Sequence, residues 1–107
     1  MVKIIKSAKS TLNKKDINSV TKVLRKEFLG MGPKVKEFEN KLENDFKSNV
    51  ACVVNGTAAI QLALQAHGIG KGHEVLVQSL TYLSTFQAIS ATGAKPISCE
   101  VYADTLT

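Results

Sequence analysis

The chain has 107 residues, 44% of them hydrophobic, with fourteen lysines and arginines against nine acids and a net charge of +5. That is a globular composition with room for one small domain or part of a larger one, and no apolar run approaches the roughly 20 residues that cross a bilayer. The basic N-terminus lacks the continuous apolar stretch of a secretion signal, so the sequence reads as cytoplasmic and without a membrane partner.

The charge is uneven. Residues 1–50 hold twelve of the basic residues and six of the acids, and the remainder is slightly acidic. A basic half can serve nucleic acid or an anionic ligand. Here the lysines are interleaved with acids opposite apolar stripes, and few aromatics accompany them. Solvated helix faces, and no nucleic-acid partner, are expected.

Lys3 to Ser10 is a basic lead-in with little pattern beyond Ile4 and Ile5. Asn13 then suits a helix N-cap, with Asp16 near the positive helix end and Leu12 and Ile17 spaced as a hydrophobic staple. Ile17, Val20, Leu24 and Phe28 recur every three or four residues, which predicts a first helix ending at Gly30. Pro33 at a first helical position opens a second, whose stripe is Val35, Phe38, Leu42 and Phe46. Both helices present an apolar face that needs a partner, either later segments or another subunit.

From residue 49 the pattern becomes alternating. Val50–Val54 is a short β-branched run that predicts a buried strand. Asn55-Gly56-Thr57 is a turn with a ready N-cap, and Thr57–His67 a helix closed by Gly68. Glu74–Gln78 predicts a second strand, Thr81–Thr92 a helix ending at Gly93, and Pro96–Val101 a third strand. A β-α-β-α-β order implies right-handed crossovers and a largely parallel sheet. Three strands leave open edges, so the domain is expected to be incomplete. The division falls at 1–48, a helical segment, and 49–107, the opening of an α/β domain.

A strand that enters a helix through Gly-Thr leaves backbone N–H groups free at the carboxyl edge of its sheet. With the positive helix end they form a small anion site, most often for phosphate, although many such units bind nothing. Gly68-Ile69-Gly70-Lys71-Gly72 follows a helix and precedes a strand, the reverse of a dinucleotide-binding loop, and is a connector. Cys52 and Cys99 have no metal spacing and are expected to be buried thiols; His67 and His73 have no carboxylate or cysteine arranged around them, so no metal site is expected.

In this order, several short motifs accumulate. They are Phe28-Leu29-Gly30-Met31-Gly32-Pro33, Val54-Asn55-Gly56-Thr57-Ala58-Ala59-Ile60-Gln61-Leu62, Gly70-Lys71-Gly72-His73-Glu74-Val75, Ser79-Leu80-Thr81-Tyr82 and Gly93-Ala94-Lys95-Pro96. With them the chain resembles, from about Leu12 to Leu106, the N-terminal part of the DegT/DnrJ/StrS family of pyridoxal-phosphate-dependent sugar aminotransferases. The resemblance implies the opening of a fold-type-I large domain, a homodimer with active sites between subunits, and amino transfer from glutamate to a nucleotide-linked keto sugar. It also implies that Gly56, Thr57 and Ala58 hold the cofactor phosphate through backbone N–H groups and the Thr57 hydroxyl. Tyr82 sits where the family places an aromatic that stacks on the pyridine ring; the alternative is a core side chain near a helix start.

The family's cofactor-binding lysine and its aspartate partner to the pyridinium nitrogen fall in motifs beyond residue 107. Lys71 and Lys95 each precede a strand, at the edge opposite the phosphate site, so this chain is expected to lack catalytic residues and not to transaminate alone. There are departures within the match. Gln78 replaces a usual proline, Lys71 and His73 replace a common proline and aspartate, and Glu100, Tyr102 and Ala103 replace an acidic, proline-containing strand exit. The competing reading is a small phosphate- or nucleotide-binding α/β protein built on the same Gly56–Ala58 turn.

Overall fold

A computed structural model describes residues 10–107; the basic lead-in at 3–9 lies outside the described residues. The chain forms two compact units that divide between Val50 and Ala51.

The first unit contains helices α1 (Lys14–Leu24) and α2 (Pro33–Phe46). Asn13 caps α1 as expected: its side-chain oxygen accepts the N–H of Lys15 at 2.7 Å and of Asp16 at 3.2 Å, while the Asp16 carboxylate accepts the Asn13 N–H at 2.9 Å. This reciprocal box satisfies three donors that the first turn leaves open. The helix stops at Leu24 rather than Gly30. Lys26 and Glu27 donate to Val23 and Leu24 three residues back, each at 3.0 Å, and Glu27 adopts φ +56°, which cannot continue a right-handed helix. Pro33 does occupy the start of α2, and Lys47 at φ 54° ends it. The apolar stripes remain exposed at Val20, Leu24, Phe28, Phe38 and Phe46.

The second unit contains α3 (Gly56–Ala66), β1 (Glu74–Gln78), α4 (Leu83–Ala91) and β2 (Lys95–Cys99). β1 and β2 are parallel, in register from Glu74 opposite Lys95 to Gln78 opposite Cys99. Pro96 fits because Lys95 N–H bonds to the His73 carbonyl; with a period of two, Pro96 turns its missing donor away from β1. α4 packs on both strands and α3 packs along α4. The core is Val77, Ile89 and Ala94, flanked by Leu64, Ile69, Val75 and Phe86.

The first strand expected at Val50–Val54 is not formed. A strand is defined by a neighbour's N–H and C=O groups, and among the described residues β1 and β2 pair only with each other. Val54 is 87% exposed. Cys52 and Cys99 form no disulfide, but both are half-buried rather than buried. Among the described residues no helix is long and apolar enough to cross a membrane.

Candidate active site

The placement of the two helix starts follows from where the helices end. The turn after α3 meets the turn after α4: a Cβ on Gly70 would lie 3.1 Å from the Thr92 carbonyl oxygen, and one on Gly93 would lie 3.3 Å from the Lys71 nitrogen. Since α4 leaves the carboxyl end of β1 and returns to the amino end of β2, both C-termini lie at the amino edge of the sheet. The two helices, about 16 and 14 Å long at 1.5 Å per residue, therefore start together at the carboxyl edge. Ligands of open α/β sheets collect at that edge.

Three N–H groups at the start of α3 precede its first intrahelical bond, which runs from Ala59 to the Asn55 carbonyl at 3.1 Å. They belong to Gly56, Thr57 and Ala58, the residues singled out in the sequence. The structure engages one of them already: Ala58 donates to the Asn55 side-chain oxygen at 2.9 Å. Among the described residues nothing accepts the Gly56 and Thr57 N–H groups, which leaves them for an external acceptor, with the Thr57 hydroxyl beside them. A Cβ at Gly56 would meet nothing within 4 Å, so an anion can approach the backbone directly. This donor set, at the positive end of an eleven-residue helix, suits a phosphate.

Tyr82 is the N-cap residue of α4 and is 82% exposed in this chain, at the carboxyl edge. The structure thus brings Gly56, Thr57, Ala58 and Tyr82 to one edge of one unit. Lys71 and Lys95 lie at the opposite edge, where Lys95 pairs with Glu74 at 3.0 Å. No group of three or more metal-ligating side chains gathers among the described residues. A concavity of about 950 Å³ lies between the end of α1 and the start of α2, where Val20, Leu24, Phe28 and Val35 are among its lining side chains. Ser19, Lys22, Arg25, Lys26 and Lys34 also line it, but it holds none of the residues singled out in the sequence, and volume alone does not make it the site.

Residues 10–107 match the DegT/DnrJ/EryC1/StrS aminotransferase family. The chain belongs to this family. It is 41% identical over 96 residues to the spore coat polysaccharide biosynthesis protein SpsC of Bacillus subtilis, covering 89% of this chain and 25% of SpsC. It is 37% identical over 101 residues to dTDP-3-amino-3,4,6-trideoxy-alpha-D-glucose transaminase of Streptomyces venezuelae, covering 94% of this chain and 27% of that enzyme. Spr1654 of Streptococcus pneumoniae, solved in a PLP form, superimposes with a TM-score of 0.79 at 32% identity, covering 90% of this chain and 25% of that one. A DegT DnrJ EryC1 StrS aminotransferase from Brucella abortus superimposes with a TM-score of 0.74 at 35% identity, covering 84% of this chain and 24% of that one. The chain thus spans about a quarter of the length of the family members it matches.

Asn55 is the contributor that the sequence showed least clearly. An Asn before Gly-Thr signals a cap. Which N–H it would take, and hence which are left for a ligand, depends on its side-chain torsion and is visible only in the structure.

Proposed function

We propose that residues 49–107 are the opening of the cofactor-binding large domain of a sugar aminotransferase and supply the phosphate end of its pyridoxal phosphate site. The observation that carries this reading is the pairing, at one sheet edge, of the open Gly56 and Thr57 N–H groups with exposed Tyr82. Gly56 and Thr57 bind the cofactor phosphate, and the Thr57 hydroxyl adds a third donor. Ala58 joins them only when Asn55 releases its N–H. Tyr82 offers its face to the pyridine ring, which orients it. When bound, the cofactor supplies the electron sink for moving an amino group from one substrate to another.

The reaction of the whole protein is amino transfer from glutamate to a nucleotide-linked keto sugar, carried out in the cytoplasm by a homodimer. The relatives, among them a dTDP-sugar transaminase, support the sugar and the nucleotide. Lys71 and Lys95 are at the wrong edge to reach the cofactor aldehyde.

The test is an NMR titration of the 107-residue chain with pyridoxal phosphate. Shifts should centre on the Gly56 and Thr57 amides, pyridoxal without its phosphate should leave them unmoved, and Thr57→Val should weaken binding by about three- to tenfold for one lost hydrogen bond. If phosphate esters lacking the ring bind as tightly, the chain is a general phosphate module. A borohydride-stable adduct on one fixed lysine would overturn the claim that this chain has no catalytic group.

A further inference from the structure

The segment that delivers Tyr82, residues 79–82, is held by side chains from outside it, among them Thr85, whose hydroxyl meets that of Thr81 at 3.4 Å. The β1–β2 register, continued by one pair past Gln78 and Cys99, sets Ser79 opposite Glu100. Ser79 N–H donates to the Cys99 carbonyl at 2.7 Å, and its hydroxyl donates to the Glu100 carboxylate at 3.4 Å. The same Glu100 oxygen accepts the Val101 N–H at 3.0 Å, which fixes the carboxylate over the strand end. On the other side, Gln78 Nε2 donates to the Leu80 carbonyl at 3.0 Å. A carbonyl can only accept, so the amide orientation of Gln78 is determined. Both residues were noted in the sequence as departures from the family pattern.

We propose that Gln78 and Glu100 are positioning residues that fix the 79–82 segment, and so set where the Tyr82 ring meets the cofactor. The inference rests on the reading of Tyr82 as the ring contact. Gln78 makes a side-chain brace across the bend that follows β1. Glu100 ties the same bend to the end of β2, so the aromatic is anchored to both strands of the sheet. Neither touches the phosphate donors of α3.

The experiment compares the wild-type chain with Gln78→Ala, Glu100→Ala, Glu100→Gln and Tyr82→Ala. Two quantities are read: backbone 15N order parameters at Leu80–Tyr82, and affinities for pyridoxal phosphate and for inorganic phosphate. Both alanine variants should drop the order parameters from about 0.85 toward 0.6, rigid toward flexible. Both should weaken pyridoxal phosphate by about three- to tenfold, the range of one aromatic contact, and leave inorganic phosphate binding unchanged. Glu100→Gln keeps an oxygen acceptor and should restore both readouts. Unchanged order in both alanine variants overturns the proposal whatever the ligand data show, as does failure of Glu100→Gln to rescue. If Tyr82→Ala leaves pyridoxal phosphate affinity unchanged, the reading of Tyr82 fails instead, while the order parameters still decide whether the two side chains hold the segment.

Discussion

The Asn55 side chain accepts the Ala58 N–H at 2.9 Å, so the cap of α3 and the candidate phosphate site compete for one donor. Stability and binding can therefore be separated at this position. Asn55→Ala removes the cap and should destabilise the unit of residues 51–107 by about 1 kcal/mol. Asn55→Asp keeps a good cap, so the denaturation midpoint should hardly move, but it sets a carboxylate beside Gly56 and Thr57 and should weaken phosphate binding. The two variants are checked by urea denaturation and by titration with pyridoxal phosphate. Parallel losses in both assays would mean that Asn55 acts on fold alone.

Ile89 is only 2% exposed and joins Val77 and Ala94 in the core. It lies on the helix that covers both strands, so its loss loosens α4 from the sheet edge that carries Tyr82. Ile89→Ala should cost about 2–4 kcal/mol and Ile89→Val about 1 kcal/mol. With so few fully buried side chains in this unit, the alanine variant should lose its cooperative unfolding transition.

Local chemistry made much of the fold legible. Asn13, Pro33, Gly68 and Gly93 act within a turn or two of chain, and each marks a boundary close to where the structure has one. The misreadings have non-local or backbone causes. The stripe Val20-Leu24-Phe28 keeps helical spacing past the point where Glu27 turns left-handed, because side-chain periodicity does not report φ. Val50–Val54 has a strand's composition and, among the described residues, no strand beside it, and pairing is a property of two segments. At the site, the sequence marks Gly56 and Thr57 as the start of one helix and Tyr82 as lying near the start of another, and the structure has helices opening at both places. The engagement of Ala58 and the ties to Ser79 and Leu80 depend on torsions that no spacing encodes.

Gly68 and Gly93 both have positive φ, +72° and +87°, but only Gly93 is also crowded, with a Cβ there lying 3.3 Å from the Lys71 nitrogen. Gly68→Ala should cost about 1 kcal/mol, the conformational term alone. Gly93→Ala should cost more, about 1–3 kcal/mol, because the added methyl also presses the turn after α4 against the turn after α3. That contact aligns the two helix starts at the far edge. Gly93→Ala should therefore also reduce the response of Tyr82 to pyridoxal phosphate, whereas Gly68→Ala should not. Denaturant midpoints and chemical shifts read the two effects separately.

Glu37 sits on the exposed face of α2, bonded to the Lys34 ammonium and, at 3.1 Å, to Lys41. The hydrogen bond from Lys34 and then that from Lys41 hold its carboxyl below the usual carboxylate range, with both positive charges adding to the effect. A depressed folded value means that the pair stabilises α2 fully above the ordinary carboxylate pKa. The contribution is lost as pH falls through the folded value, when the carboxyl takes up its proton. Because the group is exposed, solvent and salt screen the interaction, and the effect on global stability should be small. The expected result is a Glu37 side-chain carboxyl titration, followed by 13C NMR, that lies at lower pH than in an unfolded reference. High salt should move it back toward that reference. So should Lys34→Met, and by more than Lys41→Met, because the Lys34 hydrogen bond is the larger cause. Equal titration in folded and unfolded chains would show that neither lysine engages Glu37 in solution.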